Sequence, residues 1–407
     1  MKDIDRKQKI FLIFILLIIL SGWFARWIGV EPSPYLNGIS NSAEKPVLSL
    51  QGLFNGLTAM SAETWMKENI PFRAIYIKIR NQIYWSVFKK SSNPNVVIGK
   101  IYVLYEPWYL QEYLGFTRID NNYDAVLKNM EQIVSDLKFI QDKLDEAGKI
   151  SYVFYTPSKA SFTESFFPDA FLKNAPITER ERFCNVLLQL FDQYGIRYFD
   201  SVKFFRENSL NVTLFPRSGT HYTWAAGITA SLAMIDEINE ISPIKFRKVK
   251  PVFSQIKMPI HPDRDIFNVL NLVDLFSWGE YENDRYYDID LINLENTQKA
   301  PRVFIQGGSF QGPLRYLFQN SNTVNRYSYA ENKIVSDCDG ERIVDRIEDI
   351  SVEGNLDNDI FIFEVNQFAA DNMSFGFISQ MKTYLKKNGI PPVQEVNSSE
   401  SEFSGSF

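Results

Sequence analysis

The sequence predicts an α/β fold: a mostly parallel sheet with helices on both faces. Short apolar runs recur at Ile150–Tyr155, Ile196–Phe199, Arg302–Gln306 and Ile360–Glu364. Stretches with apolar residues at i, i+3, i+4 and i+7 alternate with them, and glycines mark several of the stops. Strands and helices in alternation build a parallel sheet covered on both sides. Ligands in such sheets gather beyond the carboxyl ends of the strands.

Ile10–Leu20 is an unbroken apolar run, extended by Ser21–Ala25, with Trp23 and Trp27 beyond its middle. Lys2, Arg6, Lys7 and Lys9 precede it. This pattern predicts an N-terminal transmembrane helix with its basic tip in the cytoplasm and the remainder outside. A cleaved signal peptide is the competing reading, but no A-x-A site follows. Residues 1–30 are thus expected to form the tip and anchor. Residues 31–50 form a linker rich in Pro, Gly, Ser and Asn, 51–390 the α/β domain, and 391–407 a disordered Ser/Glu-rich tail.

Within the domain, Gly52–Phe88 has apolar residues at helical spacing, and Asn95–Tyr105 reads as a hairpin or two short strands around Gly99. Tyr123–Ala147 is the clearest helix, with Gly148 as its stop. The strand 150–155 follows. A helix starts at Thr178 with the capping box Thr178-x-x-Glu181 and runs to about Gln193, before the strand 196–199. Trp224–Ile238 is a helix with Thr223 as N-cap. Helices are also expected at about Gln311–Phe318 and Ser374–Lys387.

The 407 residues carry 45% hydrophobic and 23% charged side chains, so the chain is globular and long enough for a sizeable core. A net charge of −6 with interspersed signs excludes a nucleic-acid footprint. Only His221 and His261 are histidines and only Cys184 and Cys338 are cysteines, which excludes a His-cluster zinc site and a disulfide framework. No metal or cofactor is expected.

Ser309 stands where an apolar strand stops, in Val303-Phe304-Ile305-Gln306-Gly307-Gly308-Ser309-Phe310. Two glycines permit a tight turn, and a serine there faces the crevice above the sheet. Free N–H groups of the following helix would face a developing oxyanion. This is not the G-x-S-x-G elbow, because Gln311 occupies the place of the second Gly. A serine N-cap is the structural alternative. His221, in Arg217-Ser218-Gly219-Thr220-His221-Tyr222-Thr223-Trp224, precedes a helix and is the candidate base. His261 reads as surface loop. Asp200 and Glu364 end two strands, and each is a candidate to orient the base or a structural strand-end carboxylate. Lys159 follows a strand end, placed to hold an anionic glycan or to be solvated.

Several segments, taken in order, resemble the AlgJ/AlgX type of SGNH-hydrolase-like proteins, which act in polysaccharide O-acetylation. They are Trp65-Met66-Lys67-Glu68-Asn69-Ile70-Pro71-Phe72-Arg73, Asn95-Val96-Val97-Ile98-Gly99-Lys100 with Tyr102-Val103-Leu104-Tyr105, Thr156-Pro157-Ser158-Lys159, Gly219-Thr220-His221-Tyr222-Thr223 and Gly307-Gly308-Ser309-Phe310. The resemblance spans about residues 60–385. It implies an SGNH-like, flavodoxin-like fold, with Ser309 as acetyl-accepting nucleophile and His221 as base. His before Ser is the order of this family, the reverse of ordinary SGNH hydrolases. Lys159, Tyr222, Gly308 and Phe310 would lie at the substrate, Tyr222 replacing the family's Trp. The implied partners are a polysaccharide and a multi-pass membrane-bound acyltransferase (MBOAT type) that exports the acetyl group. Two positions depart from the family: Gly219 and Gly308 stand where it carries Asp. A polysaccharide acetylesterase, or a non-catalytic glycan-binding scaffold of the acetylation complex, are the alternatives that these departures keep open.

Overall fold

Seven consecutive buried residues, Ile360–Asn366, form the strand on which the main sheet is centred. A strand buried on both faces reads as a continuous apolar run, which is why 360–363 shows no alternation. In this computed structural model the described residues are 6–390, except 30–35, 39–43, 47–49, 55, 70, 117–122, 174–181, 260, 274–278, 282–283, 295–298, 333, 338–339 and 345–346. Thr178, Cys338 and the expected tail at 391–407 lie outside the described residues. The chain divides into two units, Met1–Ile98 with Asp265–Asn283, and Gly99–Arg264 with Asp284–Phe407.

In the first unit the apolar run forms one helix, α1 (Arg6–Trp27), and Ile10 to Phe14 are exposed. Among the described residues no helix is long and apolar enough to cross a membrane, so the spanning segment expected at 1–30 is not shown. The helical spacing of 52–88 resolves into α2 (Leu57–Glu68) and α3 (Arg73–Ser86), with Pro71 between them. Asn81 donates to the Leu270 carbonyl at 2.8 Å, and Trp85 meets Phe267 edge-on.

The second unit contains short α4 (Pro107–Tyr113), then α5 (Tyr123–Glu146), β1 (Ile150–Thr156), α6 (Arg182–Tyr194), β2 (Tyr198–Asp200), α7 (Ser201–Glu207) and α8 (Trp224–Ile241). An antiparallel pair follows, β3 (Val249–Ile256) with β4 (Tyr286–Asn293). Then come β5 (Arg302–Gly307), α9 (Gly312–Gln319), β6 (Arg326–Glu331), β7 (Ile334–Asp337), β8 (Gly340–Ile343), β9 (Ile360–Asn366) and α10 (Phe377–Asn388). The seven-stranded sheet runs β8-β7-β6-β5-β9-β1-β2. β6, β5, β9, β1 and β2 are parallel, and β7 and β8 extend one edge antiparallel. The expected mostly parallel sheet is therefore present.

Side chains alternate across the sheet. Val153, Phe304, Phe361 and Phe363 pack with Leu137, Ile140 and Leu144 of α5, Leu187 and Phe191 of α6, and Met381 and Leu385 of α10. Phe154, Val303, Ile305 and Ile362 pack on the other face with Ile228, Met234 and Ile238 of α8 and Leu314 and Leu317 of α9. Gly148 ends the α5 segment at φ +69°, the left-handed stop that its position predicts. Thr223 caps α8 as expected, accepting from the Ala226 amide at 3.2 Å.

Several boundaries moved, and β9 runs on past Glu364 to Asn366. The helix expected from Ser374 begins at Phe377, because Ser374, Phe375 and Gly376 hold φ of 63°, 53° and 95°. The 196–199 strand ends on Asp200, which opens α7. The antiparallel pair and the edge strands β6–β8 were not expected from the sequence, since their runs mix apolar with charged residues. Phe363 is wholly buried between strands and helices, and its truncation to Ala is expected to cost about 3–5 kcal/mol in a urea-unfolding measurement.

Candidate active site

The parallel strands β5, β9 and β1 end side by side. Their carboxyl ends carry Gly307-Gly308-Ser309, Glu364 and Thr156. Beyond β5 the chain passes through extended Gly308 into a single turn, Ser309–Gln311, and then α9. That turn leaves Ser309 exposed between half-buried Gly308 and buried Phe310.

His221 comes from the loop between α7 and α8, and its Nε2 lies 2.6 Å from Ser309 Oγ. The loop is held residue by residue. Lys159 Nζ donates to the carbonyls of Gly219 at 2.7 Å, Leu104 at 2.8 Å and Arg217 at 3.2 Å. Ser218 Oγ donates to the Asp263 carbonyl at 2.9 Å and Thr220 Oγ1 to Glu106 Oε2 at 2.7 Å. Tyr222 donates its hydroxyl to the Phe310 carbonyl. The Trp224 amide, opening α8, donates to Asp263 Oδ1 at 3.2 Å. The His221 ring packs on Phe310, centroids 4.7 Å apart. The imidazole therefore stands on a scaffold tied to α4, to the 3-10 turn after β1 and to the nucleophile turn itself.

Glu364 is 1% exposed, on the face of β9 that looks toward α8 and α9. Its Oε1 accepts from Thr156 Oγ1 at 2.6 Å and its Oε2 from the Gly308 amide at 2.7 Å. Burial raises its carboxyl to about 7, against the lowering pull of those two hydrogen bonds and of His221. Gly307 has to be glycine here: a Cβ would stand 2.6 Å from Glu364 Cβ and 2.7 Å from its Oε2. The Gly308 amide is committed to this carboxyl, which leaves oxyanion stabilisation to the amides from Ser309 onward.

A cleft of about 230 Å³ opens beside Ser309. Its wall includes Tyr109, Phe368 and Phe375 with Asn332 and Asn372. Tyr109 and Phe368 stack at 4.3 Å. Gln306, buried beneath, donates to the Ser374 carbonyl at 3.0 Å and supports the left-handed pair Ser374–Phe375.

Of the residues singled out from the sequence, Ser309, His221 and Glu364 converge. Asp200 does not. It ends β2, three strand spacings from β5, roughly 14 Å away. There its carboxylate caps α7, accepting from the Lys203 amide at 3.0 Å. Lys159, expected at the substrate, is instead 2% exposed with its three N–H groups on three carbonyls, a tie for the histidine loop. Tyr222, expected to face sugar, is buried against Phe310, and Phe310, itself little exposed, lines the cleft. Gly308 lines the cleft. His261 opens the turn His261–Arg264. Cys184 is buried, and its thiol donates to the Gln367 carbonyl at 2.9 Å. Among the described residues no group of His, Cys, Asp and Glu is arranged to hold a metal. Sequence reasoning missed Thr156 and Asp263. Thr156 was visible only as a strand end, and Asp263 carried no local signal.

No protein-family profile and no curated protein match the chain. Solved structures do. The O-acetyltransferase domain of Pseudomonas putida AlgJ aligns at 14% identity and a TM-score of 0.46, covering 72% of this chain and 99% of that one. Pseudomonas aeruginosa AlgX aligns at 10% and 0.43, covering 70% and 67%. Bacillus cereus PatB1, solved with a sulfonyl adduct, aligns at 11% and 0.41, covering 62% and 93%. AlgJ and AlgX are the type that the sequence motifs resemble. At these identities and TM-scores the matches carry no argument about chemistry, which has to come from the side chains.

Two outcomes are expected. Lys159→Met strands three carbonyls, and a loss of about 3 kcal/mol or more is expected in chemical denaturation. Glu364 has a folded-state value above its ordinary 4.5, so its ionised form is less favourable folded than unfolded. The resulting penalty is absent below pH 4.5, grows as pH rises toward 7 and is complete above it. Glu364→Gln is therefore expected to melt higher relative to wild type at pH 8 than at pH 4.5. Equal differences at both pH values would show that the carboxyl is not destabilised by burial.

Proposed function

We propose that this chain is an extracytoplasmic polysaccharide O-acetyltransferase that works through an acetyl-Ser309 intermediate. The observation that carries the reading is the 2.6 Å contact between His221 Nε2 and Ser309 Oγ, above the carboxyl ends of the central strands and beside a cleft. Nucleophile and base within hydrogen-bond reach are the signature of an activated serine.

His221 Nε2 takes the proton of Ser309 as Oγ attacks the acetyl carbonyl carbon of the donor. The oxyanion so formed is met by the Ser309 amide. Collapse expels the donor group, which leaves with the proton held by His221. A sugar hydroxyl then attacks acetyl-Ser309, His221 takes the hydroxyl proton, and collapse returns that proton to Ser309 Oγ while the acetyl ester stays on the sugar. Water in place of the sugar would make the same site an acetylesterase.

The cleft supports an acceptor of sugar size. Aromatic faces suit the apolar face of a pyranose ring, and side-chain amides suit its hydroxyls. The donor acetyl is assigned to a membrane-bound acyltransferase partner, and α1, with its exposed apolar side chains, to a membrane tether. The scaffold reading rested on Gly219 and Gly308, and the Ser–His contact speaks for acyl transfer instead.

The test uses the purified protein with p-nitrophenyl acetate. Wild type is expected to release nitrophenol with a burst, and Ser309→Ala and His221→Ala to lose at least about a thousandfold in kcat. Release by wild type no faster than by Ser309→Ala would sink the reading. With acceptor oligosaccharides added, acetylated sugar in the mass spectrum is expected. Acetate alone would make the protein an esterase.

A further inference from the structure

A buried carboxyl beside the nucleophile is costly, and proteins keep one where it acts. Glu364 is enclosed from several elements. Thr156 holds it from β1, the Gly308 amide from the end of β5, and Gly307 yields it space by having no side chain. The charged and titratable groups that act on it are His221, from the loop before α8, and Glu331, from the end of β6. Tyr222 is in turn affected by it. Glu331 is paired with Arg315 of α9, which stacks on Tyr329.

Gly308 is close enough that a Cβ on it would touch Glu364 Oε2 at 3.4 Å. The carboxyl of Glu364 thus occupies the space beside the nucleophile turn, reached from the neighbouring strand.

We propose that Glu364 is a positioning residue of this site: it sets the Gly307–Gly308 turn through the Gly308 amide, so that Ser309 meets His221, and it supplies the negative charge that stabilises the imidazolium. This rests on the acyl-transfer reading for its consequence in turnover, but not for its effect on the histidine. Its charge is present only in the ionised form, so its help to His221 grows as pH rises toward 7, while the hydrogen bond to Gly308 holds the turn.

The experiment follows the imidazole resonances by NMR in wild type, Glu364→Gln and Thr156→Val. The full chain has two histidines, so two titrations are read, His261 serving as the internal reference. In Glu364→Gln, His221 is expected to titrate at lower pH than in wild type, with His261 unmoved. In parallel, log kcat/KM for p-nitrophenyl acetate between pH 5 and 8 is expected to rise with two ionisations in wild type and one in Glu364→Gln. Thr156→Val removes a hydrogen bond that favours the carboxylate, so the second ionisation is expected to move to higher pH. That variant keeps the test open if Glu364→Gln fails to fold. A merely structural Glu364 would lower the rate and leave both titrations in place. Unmoved His221 titration in a folded Glu364→Gln variant overturns the proposal. The NMR arm needs no turnover. A wild type without esterase or transferase activity would therefore remove the acyl-transfer reading and leave the Glu364–His221 coupling still measured.

Discussion

The close approach of the Glu364 carboxyl to the Gly307–Gly308 turn is the constraint on which the rest of the site depends. A Cβ at 307 would sit 2.6 Å from Glu364, so the end of β5 can come this near to β9 only as glycine. The carboxyl then does two things with one position. It accepts the Gly308 amide and so sets the direction in which the chain leaves the sheet. It also accepts from Thr156, tying together the ends of β5, β9 and β1. Buried polar groups are tolerated when each is satisfied, and here both oxygens are.

The second half of the dyad depends on a different buried ion. The Lys159 ammonium has three donors and finds three carbonyls, two of them in the loop that carries His221. Its neighbour Tyr105 contributes a ring face at 5.2 Å. A cation buried in this way cannot also greet a substrate. Its effect on chemistry is indirect: the loop from Arg217 to Tyr222 has little freedom, and His221 reaches Ser309 without losing side-chain entropy at the moment of reaction. The cleft wall shows the same economy, with left-handed Ser374 and Phe375 held against a wholly buried Gln306. Backbone in this region is unfavourable for non-glycine residues and is kept where the surroundings impose it.

Much of the architecture was legible because its signals are local. A parallel central strand has to be apolar on both faces, so Ile360–Phe363 announced itself. Helix α5 has a full apolar stripe, and Thr223 and Gly148 mark ends by the hydrogen bond and the backbone angle they provide. What escaped were the elements whose runs alternate with charges. The pair β3–β4 and the edge strands β6–β8 owe their form to partners far along the chain. The glycines at 219 and 308 were visible as well, but not the Glu364 carboxyl that stands beside Gly308.

From the sequence alone came the α/β class and the strand ends; residue type and place made Ser309 and His221 candidates, and the order of the family-like motifs singled them out as a pair. Only the tertiary structure decided which strand-end carboxylate belongs to the site. Asp200 and Glu364 look alike along the chain, yet strand order sets one at the sheet edge and the other beside Gly308. It also turned Lys159 and Tyr222 from substrate contacts into supports. Burial and long-range hydrogen bonds are properties of packed neighbours, and no local pattern records them.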